Sequence, residues 1–256
     1  MDDYAFLSNC HTGALVARDG TVDWLCVPRF DSPSLFGALL DREAGAFRLG
    51  PFSINVPSQR AYEPGTNTLI TTWKTPTGWV EVRDSLTMGP RQGEDEVTPH
   101  TWPPADDDHL LVRTARCLDR HVEMELICEP IFDYGRTVAD WTLVDGGRQV
   151  AEASGAGQTV RLATGMALGI EANRVRARHI LRQGEQLWCA LSWAEGLAVP
   201  SDLDDANRRL DATTRFWRTW LGDGPASPTT AGGSRSGGRP WPSRASPTCR
   251  PGPRWP

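Results

Sequence analysis

The chain has 256 residues, a formal net charge of −5, an apolar fraction of 39% and eleven tryptophans. That length supports one large domain or two small ones with a sizeable core, and the acidic balance offers no basic footprint to nucleic acid or to an anionic membrane surface. No apolar run is long enough to span a bilayer, and Met1-Asp2-Asp3-Tyr4 opens no signal peptide, so a cytoplasmic location is expected. Ala14 to Ala17 and Val22 to Val27 then flank Arg18-Asp19-Gly20-Thr21, which predicts a β-hairpin with an Asp-Gly type I′ turn. Pro28 ends the second strand, Arg29-Phe30-Asp31 forms a loop, and Ser32 stands as N-cap with Pro33 at the first helical position. Leu35, Phe36, Leu39 and Leu40 mark one face of a short helix that stops at Ala44-Gly45.

Strands follow. Phe47, Leu49 and Phe52 resume an extended course, and residues 58–62, 66–74 and 78–88 are rich in Thr, Val, Ile and Trp, with a hairpin loop at Thr75-Pro76-Thr77-Gly78. Alternation sets Val80, Val82 and Asp84 on one face, against Trp79, Glu81 and Arg83. Residues 89–108, Pro-rich and acidic, read as a surface loop. Leu111, Arg113, Ala115 and Cys117, then Val122, Met124, Leu126 and Cys128, read as two strands joined in a hairpin at Asp119-Arg120. Short strands at 159–163, 167–172, 175–181 and 186–193 are spaced as in a β-sandwich.

The pattern changes at Pro200. Ser201 caps a helix with Asp202, Asp204 and Asp205 in its first turn and arginines further on, the charge order that suits the helix dipole. Leu203, Leu210, Trp217 and Leu221 recur at a helical period, with Phe216 and Trp220 beside them. Beyond residue 222 the composition turns to Gly, Pro, Ser, Thr and Arg, with too little apolar surface to fold. Lys74 is the single lysine, which suggests a GC-rich coding sequence, and the tail is read as a shift of frame near residue 222, with a genuine linker as the alternative. The expected organisation is a sandwich over 1–200, a linker helix over 201–221 and a disordered tail over 222–256. The six cysteines form no C-x-x-C pair and read as free thiols.

The run DGTVDWLCVPRFDSPSLFGALLD, from Asp19 to Asp41, resembles the N-terminal signature of glycoside hydrolase family 15, the bacterial trehalases and glucoamylase-like enzymes. Tyr62-Glu63-Pro64-Gly65-Thr66-Asn67-Thr68-Leu69, Phe132-Asp133-Tyr134-Gly135, the Trp188 to Trp193 strand and the Phe216-Trp217 to Trp220 helix end add to it. The resemblance implies an antiparallel β-sandwich, mainly β, a linker helix and an (α/α)6 barrel that carries two catalytic glutamates. It also implies inverting hydrolysis of an α-glucoside, with phosphate and magnesium linked to the full-length mycobacterial-type enzyme and no cofactor in this chain. The barrel has no counterpart after Leu221, so no catalytic residue is assigned. The chain then reads as a supporting module for a catalytic barrel; the alternative is a free-standing carbohydrate-binding or protein-interaction sandwich.

Candidate residues at the substrate mouth or domain interface are Arg29, Phe30, Asp31 and Ser32, with Phe132, Asp133 and Tyr134 in a second loop and Leu210, Trp217 and Trp220 on the helix. Their structural alternative is that Asp31 or Ser32 caps a helix and Phe30 fills the core. Glu123 and Glu125 read as the solvated face of a strand. Asp106-Asp107-Asp108 with His109, and Cys10-His11, lack the spacing of a metal site. Most tryptophans, at alternating strand positions, are expected in the core.

Overall fold

The computed structural model describes residues 3–88, 109–144, 146–194 and 196–222. The expected surface loop at 89–108, its aspartates, Cys249 and the tail beyond Gly222 lie outside these residues. Two antiparallel sheets form a sandwich. The first runs β1 (Ala5–Ser8), β2 (Gly13–Val16), β3 (Thr21–Cys26), β5 (Ala46–Pro51), the second half of β9 (Leu110–Glu129), β15 (Arg174–Arg182) and β14 (Gly169–Glu171), with β4 (Ser34–Phe36) also on β3. The second runs β6 (Gln59–Tyr62), β7 (Leu69–Thr75), β8 (Gly78–Leu86), the first half of β9, β16 (Gln186–Ser192), β13 (Gln158–Thr164), β12 (Val150–Gly155) and β11 (Asp140–Leu143). The pair β10 (Thr137–Val138) bridges back to Ile131 and Phe132.

Strand β9 belongs to both sheets, which corrects the hairpin expected at Asp119-Arg120. Arg120 takes a positive φ of 53°, and the register to β8 skips a residue between Trp79 and Val80. One bulge turns the strand from one sheet into the other without reversing it. Its core residues accordingly switch parity, from Leu111, Ala115 and Cys117 to Val122, Met124, Leu126 and Cys128.

The helix expected after Pro33 does not form. Ser34–Phe36 pairs with β3, Leu35 and Phe36 are both buried, and Leu40 lies exposed. Three residues between Pro33 and Gly37 are too few to nucleate a helix, whereas pairing with β3 gives their backbone groups partners at once. Gly37 then starts two tight turns that close at Ala44, where its N–H meets the Ala44 carbonyl at 2.8 Å. The opening hairpin also differs in detail: Gly20 N–H bonds the Ala17 carbonyl and only Gly20 has a positive φ, so a type I turn with a glycine bulge replaces the type I′ turn.

Between the sheets, Arg113 and Asp84 are both fully buried. Arg113 Nε donates to Asp84 Oδ1 at 2.8 Å, while its other nitrogens donate to the carbonyls of Phe47 at 3.0 Å and Gly20 at 2.6 Å. The side chain thus ties the second sheet to the hairpin tip and to β5 of the first. Burial opposes its charge most strongly, yet the charge and hydrogen bond of Asp84, joined by Cys189 and Asp19, together hold the guanidinium above its ordinary pKa.

A single long helix among the described residues, Leu203–Trp220, lies on the outer face of the second sheet. Its N-cap is Asp202 and not Ser201: Asp202 Oδ1 accepts from Asp205 N–H at 2.8 Å. Ala206 and Leu210 are buried against Leu110, Val112, Ala163, Trp188 and Ala190. Trp73, Trp141 and Trp188 are buried, while Trp24, Trp79, Trp193, Trp217 and Trp220 are half-buried, so fewer tryptophans are core than alternation implied. Among the described residues no helix is long and apolar enough to cross a membrane.

Candidate functional site

One end of the sandwich gathers the first two groups of candidate residues. The loop after β3 is held by a mutual pair: Arg29 N–H donates to Ser32 Oγ at 3.1 Å, and Ser32 N–H to the Arg29 carbonyl at 3.1 Å. Arg29 and Asp31 form an exposed ion pair at 3.2 Å, worth little to stability. Phe30 does not fill the core. Its N–H is fixed to the His11 carbonyl at 3.0 Å, its ring lies over Gly13 beside Phe6, and 54% of its surface is exposed.

The second loop reaches the first. Tyr134 Oη donates to the Ser32 carbonyl at 3.4 Å and is half exposed. Asp133, Tyr134 and Gly135 all have positive φ, so the turn Phe132–Gly135 coils left-handed. Such backbone is costly for Asp and Tyr. Phe132 anchors it, fully buried with its ring against Gly155, where a Cβ would stand 2.4 Å from the ring. Phe132 is therefore a support, and Tyr134 is the exposed residue.

A third loop, 62–68, which the candidate residues did not include, binds neighbouring elements together. Tyr62 Oη accepts from Phe6 N–H at 2.8 Å and donates to the Phe6 carbonyl at 2.9 Å, and Asn67 Oδ1 accepts from Ser8 N–H. These side chains occupy the free edge of β1 and block pairing by another strand. Glu63 accepts from Arg83 at 2.6 Å and from Arg218 at 3.1 Å, which fastens the end of the helix. On the helix, Leu210 is consumed by the sheet, whereas Trp217 and Trp220 pack edge to face at 6.0 Å between centroids and stay half exposed.

Glu125, expected to be solvated beside Glu123, is buried and accepts from Arg178 at 3.0 Å and Arg48 at 3.3 Å; Glu123 is exposed. The described cysteines are unbridged, and burial pushes the thiols of Cys128 and Cys189 up, the latter to about 12, so neither is a nucleophile at neutral pH. Among the described residues no three His, Cys, Asp or Glu side chains are grouped to hold a metal.

Residues 1–100 match the trehalase-like N-terminal domain family. The chain is 45% identical over 242 residues to a trehalase of Mycolicibacterium smegmatis and 44% over 233 residues to a trehalase of Mycobacterium tuberculosis. Residues 1–100 are a trehalase-like N-terminal domain. These matches cover 90% and 87% of the chain but 36% and 34% of the relatives, so it spans about a third of their length. A trehalase 1 of Sulfolobus acidocaldarius is 40% identical over 89 residues, 35% of the chain and 16% of that protein. Among the described residues the sandwich is followed by the helix Leu203–Trp220 and by no (α/α)6 barrel.

The trehalase-like domain fixes its N-terminus through Tyr4, whose hydroxyl donates to Asp23 Oδ2 at 2.8 Å. Burial, then the bond to Asp23 and its charge, push the Tyr4 hydroxyl up to about 12. Burial raises the Asp23 carboxyl as well. Tyr4 in the unfolded chain ionises near pH ~10, so the stability it supplies is whole below that pH and is lost as pH rises towards 12. Between pH 9 and 12 the unfolding temperature of the native chain should therefore fall further than that of Tyr4→Phe, so that the advantage Tyr4 gives below pH ~10 narrows towards pH 12.

Proposed function

We propose that this chain is the non-catalytic N-terminal module of a trehalase or glucan α-glucosidase that cuts α-glucosidic bonds by inversion, and that it holds an (α/α)6 catalytic barrel. The observation that carries the reading is the 45% identity along nearly the whole chain to a protein named trehalase, of which the chain accounts for only 36%. Inversion needs a protonated carboxyl and a carboxylate about 6.5–9.5 Å apart with room for water between them. Asp84, Glu125 and Glu63 are committed to arginines, and Asp31 to Arg29 on the surface. Hydrolysis is accordingly assigned to the barrel, together with any phosphate or magnesium requirement.

The face offered to the barrel comprises Arg29, Phe30, Asp31, Ser32, Asp133 and Tyr134, with Phe132 behind them; Trp217 and Trp220 mark where the helix leads on. Phe30 and Tyr134 supply aromatic area at low entropic cost, since their backbones are already fixed. The purified chain should release no glucose from trehalose or maltose. Mixed with the separately expressed remainder of the Mycolicibacterium smegmatis relative, it should form a complex in size-exclusion chromatography that Phe30→Ala with Tyr134→Ala abolishes. Turnover by the chain alone, or a complex that the double variant leaves intact, overturns the reading.

A further inference from the structure

A cleft of about 650 Å³ lies at the other end of β2 and β3 from Phe30, between the hairpin tip and the turns that replace the expected helix. Tyr4, Arg18, Asp19, Asp23, Arg42 and Asn55 line it. Its wall is built by the backbone: Leu39 N–H donates to the Asp23 carbonyl at 3.0 Å and seats the 38–42 turn beside the strand. The volume falls in the range of small-molecule sites, about 300–1,000 Å³.

The polar groups in this cleft have capacity to spare. Asp23 uses Oδ2 for Tyr4, and its Oδ1 has no hydrogen-bond partner among the described residues. Asp19 uses Oδ1 for Thr21 N–H at 3.0 Å, and its Oδ2 is likewise unused. Arg18 is taken by Asp3. Arg42 makes no hydrogen bond or ion pair among the described residues, yet it lies near enough to act on the charge of Asp23.

This set selects a ligand by chemistry. An anion would meet two carboxylates, and an apolar molecule would strip them of water without replacing its hydrogen bonds. A bare divalent cation wants about six to eight oxygens and would lie beside Arg42. Hydroxyl groups satisfy every member: they donate to carboxylate oxygens and accept from a guanidinium. We infer that the cleft between the hairpin tip and the 38–42 turn binds a neutral polyhydroxylated ligand, a mono- or disaccharide, through Asp19, Asp23 and Arg42. The inference stands apart from the assignment of hydrolysis to a barrel, because binding here needs no second domain.

The test is isothermal titration of the whole 256-residue chain with trehalose and with glucose, alongside saturation-transfer NMR. Saturable binding of at least one sugar at millimolar concentration is expected. Asp23→Asn and Arg42→Ala should each weaken it about tenfold, the equivalent of about 1.4 kcal/mol, while Phe30→Ala leaves it unchanged. Asparagine can still accept from Tyr4, and Arg42 has no partner to lose among the described residues, so at least one variant reports on binding without a change of fold, checked by its unfolding temperature. Absence of saturable binding overturns the proposal, as does an affinity indifferent to both substitutions. So does calcium binding that Asp23→Asn abolishes with no sugar bound.

Discussion

Replacing Arg113 by alanine is expected to destabilise the domain by about 3–5 kcal/mol, since it leaves a buried carboxylate without its counter-charge. That is a large part of the roughly 5–15 kcal/mol by which a domain is stable, and the variant should unfold at much lower urea or go to inclusion bodies. The pair is fully buried, with Arg113 Nη2 also 3.3 Å from Asp84 Oδ2, so water cannot take over either partner. Asp84→Asn should be milder than Arg113→Ala, because the amide oxygen still accepts from Nε and the other donors stay engaged. The informative variant is the double exchange Asp84→Leu with Arg113→Met. For an isolated buried pair, apolar replacement is often neutral or stabilising. Here it should remain less stable than the native chain, because the carbonyls of Gly20 and Phe47 lose donors at about 1–3 kcal/mol each. A urea midpoint for the double variant at or above the native value would show that the bonds across the sandwich contribute nothing.

The same pair shows what could be read in the sequence. Alternation placed Asp84 with Val80 and Val82, and Arg113 with Leu111 and Ala115, each on a face otherwise apolar; an opposite charge on each of two buried faces was the clue to a buried ion pair. Strand positions were legible because one face of every long strand is core. The course of β9 was not. A hairpin at Asp119-Arg120 and a bulge there both switch which residues face inward, and only contacts distant in sequence distinguish them. The missing helix failed for another reason: Ser32-Pro33 is a sound start for a helix, but Gly37 ends the apolar run before one turn can propagate, and β3 offers ready partners. Of the candidate site, the loop at Arg29 to Ser32 and the turn at Phe132 to Tyr134 were found separately, and the bond from Tyr134 to Ser32 joins them. Leu210 fitted an interface stripe equally well until the outer face of the second sheet was seen to need a cover. The cleft at Asp23 left no motif, since Tyr4, Asp23 and Arg42 are brought together by pairing and by turns.

Gly20→Ala is expected to destabilise by roughly 2–5 kcal/mol, the sum of about 1–2 kcal/mol for a left-handed alanine and about 1–3 kcal/mol for overpacking. At φ 81° its added Cβ would stand 2.5 Å from the Leu49 carbonyl and 3.3 Å from Trp73. Backbone blocks the first contact and the buried Trp73 the second, so the hairpin tip itself must move. Its movement draws the Gly20 carbonyl away from Arg113 and disturbs the buried pair, which makes this loss greater than its local strain. Gly157→Ala is the matched control: φ is 76°, nothing lies within 4 Å of the new Cβ, and the turn serves only to join β12 to β13. The control should lose only the conformational part, about 1–2 kcal/mol. If urea unfolding gives the two variants equal losses, the close approach of Gly20 to Leu49 is not what the signature's glycine preserves. If Gly20→Ala loses more and Arg113→Ala erases the difference, the glycine and the arginine act as one device that joins the hairpin to the second sheet.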